Sequence, residues 1–281
     1  MKRSFFSSFF SSEDDSVVET PVSKLVAEKP KSYLEHLADS EYGTIQQIVD
    51  KISADCDLNL TLPSIVFIGE ESSGKSSTLS RIVGFNLFPR DQKICTRTPV
   101  KYVLKHLDND SESDYITIND TVFEQSDGSV VTYIKNWMSN HTLPCGIGES
   151  ELVVHVFSHS VPTITFTDLP GLVMFDENEA NTDAESISAV TQRIANHYIG
   201  QPDSIIVAVV PARDIRNRLR SSVALNLVDK HSARDRTFCA ITKVDTTRDE
   251  TFRKKGKSSL YYEIIEKLEE NKHATPPYIA L

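Results

Sequence analysis

The stretch GEESSGKSS, residues 69–77, constrains the fold more than any other part of the sequence. It fits the pattern GxxxxGK[ST], in which backbone N–H groups surround phosphates, the lysine reaches the outer phosphates and the hydroxyl ligates magnesium. The matching residues are Gly69, Gly74, Lys75 and Ser76. The apolar run LTLPSIVFIG before the loop predicts a buried strand, and a helical pattern follows it. This context favours a phosphate-binding loop over its alternative, a glycine-bearing surface turn.

Strand and helix patterns alternate along the rest of the chain. Further strands are predicted at VKYVL, YITI, ELVVHVF, TITFTD, SIIVAVV, TFCAIT and the terminal YIAL. Helices are predicted over 76–84, 129–139, 183–199, 217–231 and 257–271, and from Thr44, where Ile45, Ile48, Val49 and Ile52 have helical spacing. This alternation predicts an α/β fold with a doubly wound, mostly parallel sheet flanked by helices.

Composition excludes several classes of protein. The chain of 281 residues carries 40 acidic and 30 basic side chains, and a net charge of -10 repels nucleic acids and anionic membranes at long range. Four scattered cysteines, Cys56, Cys95, Cys145 and Cys239, predict neither a zinc site nor a disulfide framework, so a cytoplasmic location is expected. Neither a secretory signal nor a membrane-spanning run of roughly 18 apolar residues is recognised.

The N-terminal segment differs in composition from the remainder. Residues 1–32 are rich in Ser, Glu, Lys and Pro, which predicts a disordered tail. Phe5, Phe6, Phe9 and Phe10 would share one helical face, so a weak membrane or partner anchor is the alternative. Residues 33–281 are predicted to form the folded domain.

Two later motifs indicate what the phosphate loop binds. TITFTDLPG places Asp168 and Gly171 at the spacing DxxG, where the carboxylate supports magnesium and the glycine N–H can meet a γ-phosphate. CAITKVD fits [NT]KxD through Thr242, Lys243 and Asp245. The carboxylate of Asp245 can accept hydrogen bonds from the ring N–H and the exocyclic amine of guanine. Adenine lacks that amine, so GTP is favoured over ATP.

Each short motif alone has a simpler interpretation. Asp168 could cap a turn, and Lys243 with Asp245 could be an ordinary surface pair. The three motifs, however, follow one another at the ends of predicted strands, where doubly wound sheets bind ligands. A GTP site is therefore the prediction, and an ATP-using P-loop enzyme is the less favoured alternative.

The segment GEESSGKSSTLSRIVGFNLFPRDQKICTRTPV resembles the corresponding segment of the dynamin superfamily of large GTPases. The residues that fall at the family's spacing are Gly84, Pro89, Arg90, Thr96, Arg97 and Pro99. The resemblance runs from the helix near Thr44 through DLPG and PARD to TKVD. It implies a dynamin-type P-loop GTPase domain over residues 33–281, which is C-terminally truncated because PPYIAL falls before the last base-contacting loop.

The resemblance also implies an activity and roles for residues. The family hydrolyses GTP to GDP and phosphate with Mg²⁺, its domains form a transient homodimer across the nucleotide, and a helical stalk couples them to membranes. Thr96 matches the magnesium-binding switch threonine, with Thr98 as the nearby alternative, and Ser72 matches the serine near a monovalent cation. The expected nucleotide contacts are Gly69, Ser72, Ser73, Gly74, Lys75, Ser76, Ser77, Thr242, Lys243 and Asp245. The expected magnesium ligands are Ser76, Thr96 and Asp168, and the expected catalytic residues are Glu71, Ser72, Lys75, Thr96 and Gly171.

Glu71 departs from the family pattern, which has glutamine at this position to help orient the attacking water. A carboxylate there can act as a water-orienting acceptor, as a base with a raised pKa, or as a lesion that slows turnover. Because positioning matters more than proton removal in phosphoryl transfer, retained hydrolysis is the prediction. The alternative is a GTP-dependent interaction module with little or no hydrolysis. Glu70, where the family is variable, is expected to face solvent.

Overall fold

A computed structural model describes residues 33–56, 63–85, 87–89, 96–108, 111–124, 128–173, 185–212, 214, 222–244 and 278–280. The chain divides into two units, Met1–Lys31 and Ser32–Leu281, and every described residue belongs to the second. The predicted tail, the predicted helix over 257–271 and Asp245 lie outside the described residues.

Nine described strands form one mixed sheet. They are β1 (Ser64–Ile68), β2 (Val100–His106), β3 (Tyr115–Ile118), β4 (Thr121–Glu124), β5 (Leu152–Ser158), β6 (Ile164–Asp168), β7 (Ile205–Pro211), β8 (Thr237–Thr242) and β9 (Tyr278–Ala280). Their order across the sheet is β4-β3-β5-β2-β6-β1-β7-β8-β9. Most pairings are parallel, and only β2–β6, β3–β5 and β3–β4 are antiparallel among the described strands. The predicted α/β fold with a mostly parallel sheet is confirmed.

Helices lie on both faces of this sheet. They are α1 (Tyr33–Ala38), α2 (Glu41–Cys56), α3 (Lys75–Val83), α4 (Ser129–Asn140), α5 (Ile187–Ile199) and α6 (Val223–Lys230). Helix α3 ends where the N–H of Gly84, at φ 76°, donates to the carbonyl of Ser80. Helix α5 begins with a side-chain cap, because the Ser186 hydroxyl accepts from the N–H of Ala189 at 3.1 Å.

Two hydrophobic cores hold the layers together. One joins α3 and α4 to one face of the sheet and includes Leu79, Ile134 and Tyr102. The other joins α5 and α6 to the opposite face and includes Val66, Ile194 and Val228. The helices predicted over 183–199 and 217–231 are shorter in the structure, since residues 185, 186, 222 and 231 are described outside them.

Helix α2 buries a different face from the one that its apolar spacing suggests. Ile45, Ile48 and Ile52 are 59%, 52% and 45% exposed, whereas Gly43 and Gln46 are buried. A Cβ on Gly43 would lie 1.9 Å from the carbonyl oxygen of Ala38, so the tight corner between α1 and α2 requires glycine. The close approach of the two helices therefore determines which side of α2 faces inward.

Strand β2 runs against the direction of its neighbour β6. Val100 pairs with Asp168, so the beginning of β2 lies beside the end of β6. The ends of β1 and β6 share one edge because these two strands are parallel. The segment before β2, which contains Thr96, therefore arrives at the edge where the phosphate loop follows β1.

Candidate functional site

The phosphate loop and the loop after β6 are joined through their backbones. The N–H of Leu172 donates to the Gly69 carbonyl at 3.0 Å, and the N–H of Glu71 donates to the Leu172 carbonyl at 3.1 Å. A Cβ on Gly171 would lie 2.7 Å from the Cα of Glu71. The glycine of DxxG thus permits the two loops to touch.

Glycine is also required at the start of α3. Gly74 has φ 102°, a left-handed conformation that residues with a side chain rarely adopt. It turns the chain from the loop into the helix, whose first residue is Lys75. The first N–H groups of a helix have no partner within the helix, so the beginning of α3 suits an anion.

Lys75 points into the loop that precedes it. Its side chain is largely buried, and Nζ donates to the carbonyls of Gly69 and Glu70, each at 3.1 Å. These bonds hold the ammonium inside the curve of the loop. A positive charge in that position can neutralise phosphate oxygens that the backbone amides surround.

Three predicted magnesium ligands meet at one carboxylate oxygen. Ser76 and Thr96 donate their hydroxyls to Asp168 Oδ2 at 2.8 Å and 2.9 Å, and the two hydroxyl oxygens are 3.1 Å apart. Thr98, the sequence alternative to Thr96, is buried without a hydrogen bond from its hydroxyl to any described residue. The structure therefore brings Thr96, rather than Thr98, to the carboxylate.

The environment of Asp168 favours a cation. The side chain is 2% exposed, and its Oδ1 has no hydrogen-bond partner among the described residues. Burial raises the pKa of this carboxyl, and the Lys75 ammonium and the hydroxyls of Ser76 and Thr96 oppose the rise. An unsatisfied carboxylate oxygen beside two hydroxyl oxygens is a hard-oxygen donor set, which suits Mg²⁺.

Comparison with known proteins identifies the family. The model of the Dynamin family matches residues 65–244. The chain belongs to the dynamin family. It is 33% identical over 228 residues to interferon-induced GTP-binding protein Mx2 of Rattus norvegicus, covering 78% of this chain and 34% of that protein. It is 30% identical over 239 residues to putative dynamin-related protein 4A of Arabidopsis thaliana, covering 82% of this chain and 73% of that protein.

The matched region is one part of most of these relatives. Dynamin-A of Dictyostelium discoideum is 30% identical over 220 residues, which cover 72% of this chain and 23% of that protein. The dynamin-family chain thus spans about a third of the length of its Mx relatives and less of this dynamin.

The TKVD motif of this dynamin-family chain, which is predicted to read the base, is hydrogen-bonded to the phosphate loop through its first residue. Thr242, at the end of β8, donates its hydroxyl to the Ser73 carbonyl at 2.5 Å and is buried. Lys243 follows with φ 56° and is half-buried, so the chain turns sharply there. Asp245, the residue predicted to read guanine, lies outside the described residues.

Three further predicted residues lie at the surface, in the phosphate loop and in the first turn of α3. Glu71, Ser72 and Ser77 are exposed, and Ser72 has φ 58°. Glu70 is half-buried because its backbone pairs with Leu172. The Glu71 carboxylate is therefore accessible to water and ions, which lower the free-energy cost of placing this carboxylate near phosphate.

Sequence reasoning missed the contribution of backbone groups. The carbonyls of Gly69 and Glu70 position Lys75, and the backbone of Leu172 clips the two loops together. Carbonyl and N–H groups occur at almost every residue, so no residue-type pattern indicates them.

A further structural observation concerns metals: among the described residues, no group of three or more His, Cys, Asp and Glu side chains could hold an ion. No described helix is long and apolar enough to span a membrane.

Proposed function

We propose that this chain binds GTP with Mg²⁺ and hydrolyses it to GDP and phosphate, and that a transient homodimer of GTPase domains stimulates the reaction. The observation that carries the proposal is the meeting of Ser76, Thr96 and the buried Asp168 beside Lys75. This combination supplies oxygen donors for a hard cation and an ammonium for phosphate at one edge of the sheet.

Each residue has a role that follows from its position. Lys75 and the amides of the loop hold phosphate oxygens, and Ser76, Thr96 and Asp168 are the residues that would hold Mg²⁺. When bound, the ion neutralises charge on the phosphates as the outer phosphoryl group leaves. Gly171 would donate its N–H to the γ-phosphate. Its loop is hydrogen-bonded to the phosphate loop through the backbone of Leu172.

Recognition of guanine rests on the motif after β8. The hydroxyl of Thr242 donates to the Ser73 carbonyl. The segment that would bind the base is therefore hydrogen-bonded to the loop that would bind the phosphates. In this proposal Lys243 shields one face of the base and Asp245 accepts from its ring N–H and amine. The name of the Mx2 relative, a GTP-binding protein, supports the choice of GTP.

Glu71 and Ser72 flank the reacting phosphate in this proposal. The exposed Glu71 can orient the attacking water by accepting a hydrogen bond, as the family's glutamine does. Ser72 would contribute to a monovalent cation site, which would also reduce repulsion between Glu71 and phosphate. The competing function is a GTP-dependent interaction module in which Glu71 prevents turnover.

The deciding experiment measures phosphate release from Mg-GTP over a range of protein concentrations. Lys75→Ala supplies the background, and ATP in place of GTP tests the base. We expect a rate per molecule that rises with protein concentration, because the domains act as pairs. Glu71→Gln should retain that rise and Glu71→Ala should reduce the rate by about 100-fold, the usual effect of losing a positioned catalytic group. Confirmed GTP binding with a flat background rate would instead support the interaction module.

A further inference from the structure

Among the described residues, neither hydrophobic core includes side chains from one face of β6, β2, β5 and β3, which we call the uncovered face. Side chains alternate along these strands, and those on the opposite face are buried in the core under α3 and α4. Thr167 on this face is buried, and its other described side chains are half-buried or exposed: Thr165, Lys101, Val103, Lys105, Val153, His155, Phe157, Tyr115 and Thr117. Within the described ranges, this face therefore presents polar and aromatic side chains that a partner could contact.

Three basic side chains form a strip across this face, which we call the basic strip: Lys101, Lys105 and His155. His155 pairs with Val103, so it stands between the two lysines on the neighbouring strand. Neither lysine has an ion-pair partner within the described residues. Burial lowers the pKa of the His155 imidazole, and the charges of Lys105 and Lys101 lower it further. The two lysines therefore place positive charge on this face of a protein of net charge -10.

Aromatic rings border the strip but do not offer a stacking platform. The rings of Tyr115 and Phe157 are stacked at 4.5 Å between centroids and 13° between planes. His155 lies at 6.3 Å from Phe157, and Lys105 Nζ is 5.8 Å from the centroid of the Phe157 ring. The faces of Phe157 are therefore used within the protein, which disfavours the base stacking that single-stranded nucleic acid needs.

A cleft of about 610 Å³ opens at the Lys101 end of the strip, where α5 meets the uncovered face. Its lining includes Thr167 from β6 and Arg193 and Tyr198 from α5. The acidic side chains of this cleft already have donors: Arg193 bonds Glu149 and the Tyr198 hydroxyl donates to Glu151 at 2.7 Å. Lys101 is the cleft's cation without a counter-ion among the described residues.

We propose that the basic strip and the cleft bind an extended acidic segment of a partner protein, with carboxylates opposite Lys101 and Lys105 and one side chain in the cleft. The two lysines are four residues apart on one strand, about 13 Å, which matches acidic residues four apart in an extended segment. This interaction is separate from the proposed GTP hydrolysis. A membrane is disfavoured because anionic lipids are recognised by clusters of about four to eight basic side chains, and the strip has fewer.

The test uses the whole chain and a defined probe. The probe is a fluorescein-labelled peptide with two glutamates four residues apart in a threonine and valine background, and its counterpart carries lysines at both positions. Fluorescence anisotropy gives the affinity, and NMR follows the imidazole of His155. We expect the glutamate peptide to bind, to be released by salt and to raise the pKa of His155, because its carboxylates offset the field of the lysines.

Matched variants separate the strip from overall charge. Lys101→Glu with Lys105→Glu should weaken glutamate-peptide binding by at least about tenfold, since like charges now face each other. Lys51→Glu with Lys230→Glu makes the same change in net charge away from the sheet face and should leave binding intact. GTP binding is measured on both variants as a check on folding. Equal losses in the two variants, or binding of phosphatidylserine vesicles or single-stranded RNA in preference to the peptide, would overturn the proposal.

Discussion

The hydroxyl of Ser73 is fully buried at the centre of the phosphate loop and has no hydrogen-bond partner among the described residues. Its neighbours explain why it is there. A Cβ on Gly69 would lie 2.8 Å from Ser73 Oγ, and the Ser73 carbonyl accepts from Thr242. The side chain therefore lies among protein atoms at the junction of the loop, β1 and the TKVD motif.

Replacement of Ser73 by alanine should separate stability from function. Removing a buried hydroxyl without a partner should raise the free energy of unfolding of the nucleotide-free protein by about 1 kcal/mol, the lower end of the desolvation cost of such a group. The same change should leave Mg-GTP binding intact, because a fully buried hydroxyl does not contact the ligand. Urea unfolding and titration with a fluorescent GTP analogue measure the two effects, and Ser77→Ala, at an exposed position, should leave stability unchanged. A less stable Ser73→Ala protein would contradict this prediction.

At the scale of elements, the contact between the phosphate loop and the loop after β6 is the feature on which the site depends. Alanine at Gly171 would place a Cβ 2.7 Å from the Glu71 backbone, so one loop must move. We expect Gly171→Ala to lower phosphate release by about 100-fold, the order of loss that a misplacement of 1 Å produces, while GDP binding is retained.

Gly128→Ala is the control for this substitution. Gly128 precedes α4 at φ -63°, and a Cβ there would meet nothing within 4 Å. The Gly128→Ala protein should keep the full rate of phosphate release and the full free energy of unfolding. If Gly171→Ala released phosphate as fast as Gly128→Ala, the contact between the loops would have no catalytic importance.

The elements also show how far the sequence predicts the structure. The strands YITI and TFCAIT were predicted with the observed bounds, because runs of β-branched and aromatic residues flanked by polar ones are a local signal. Strand β4 was not predicted, although Asn119 and Asp120 turn the chain at φ 45° and 63°, as the tight turn of a hairpin requires. The buried face of α2 could not be predicted, because it depends on the corner with α1 rather than on the spacing of the isoleucines.

The sequence likewise predicts only part of the candidate site. Motif spacing predicted Lys75, Ser76 and Asp168 as neighbours, and the structure places them together. The choice between Thr96 and Thr98 required the antiparallel placement of β2, which depends on pairing between distant segments. A motif specifies residue types, whereas the pairing of distant strands decides which of two threonines reaches the Asp168 carboxylate.

For the whole molecule, nucleotide binding should appear as a change in thermal stability. A ligand at about 100 times its Kd adds about 2.7 kcal/mol to the free energy of unfolding. For a domain of this size that corresponds to a rise in Tm of about 5–10 °C. We expect this rise with a non-hydrolysable GTP analogue and Mg²⁺, and most of it should disappear with EDTA, because Asp168 would lose the ion that offsets its charge. Differential scanning fluorimetry measures it, and an equal rise with the ATP analogue would contradict guanine recognition.

Strand β2 begins just after Thr96 and carries Lys101 and Lys105 farther along its length. One strand therefore connects the proposed nucleotide site to the basic strip. If GTP shifts the position of this strand, it changes the affinity of the strip for its partner by some factor. Thermodynamic reciprocity then requires the partner to change the affinity for GTP by the same factor. A protein bound to the far side of the sheet would in this way set the nucleotide concentration to which the molecule responds.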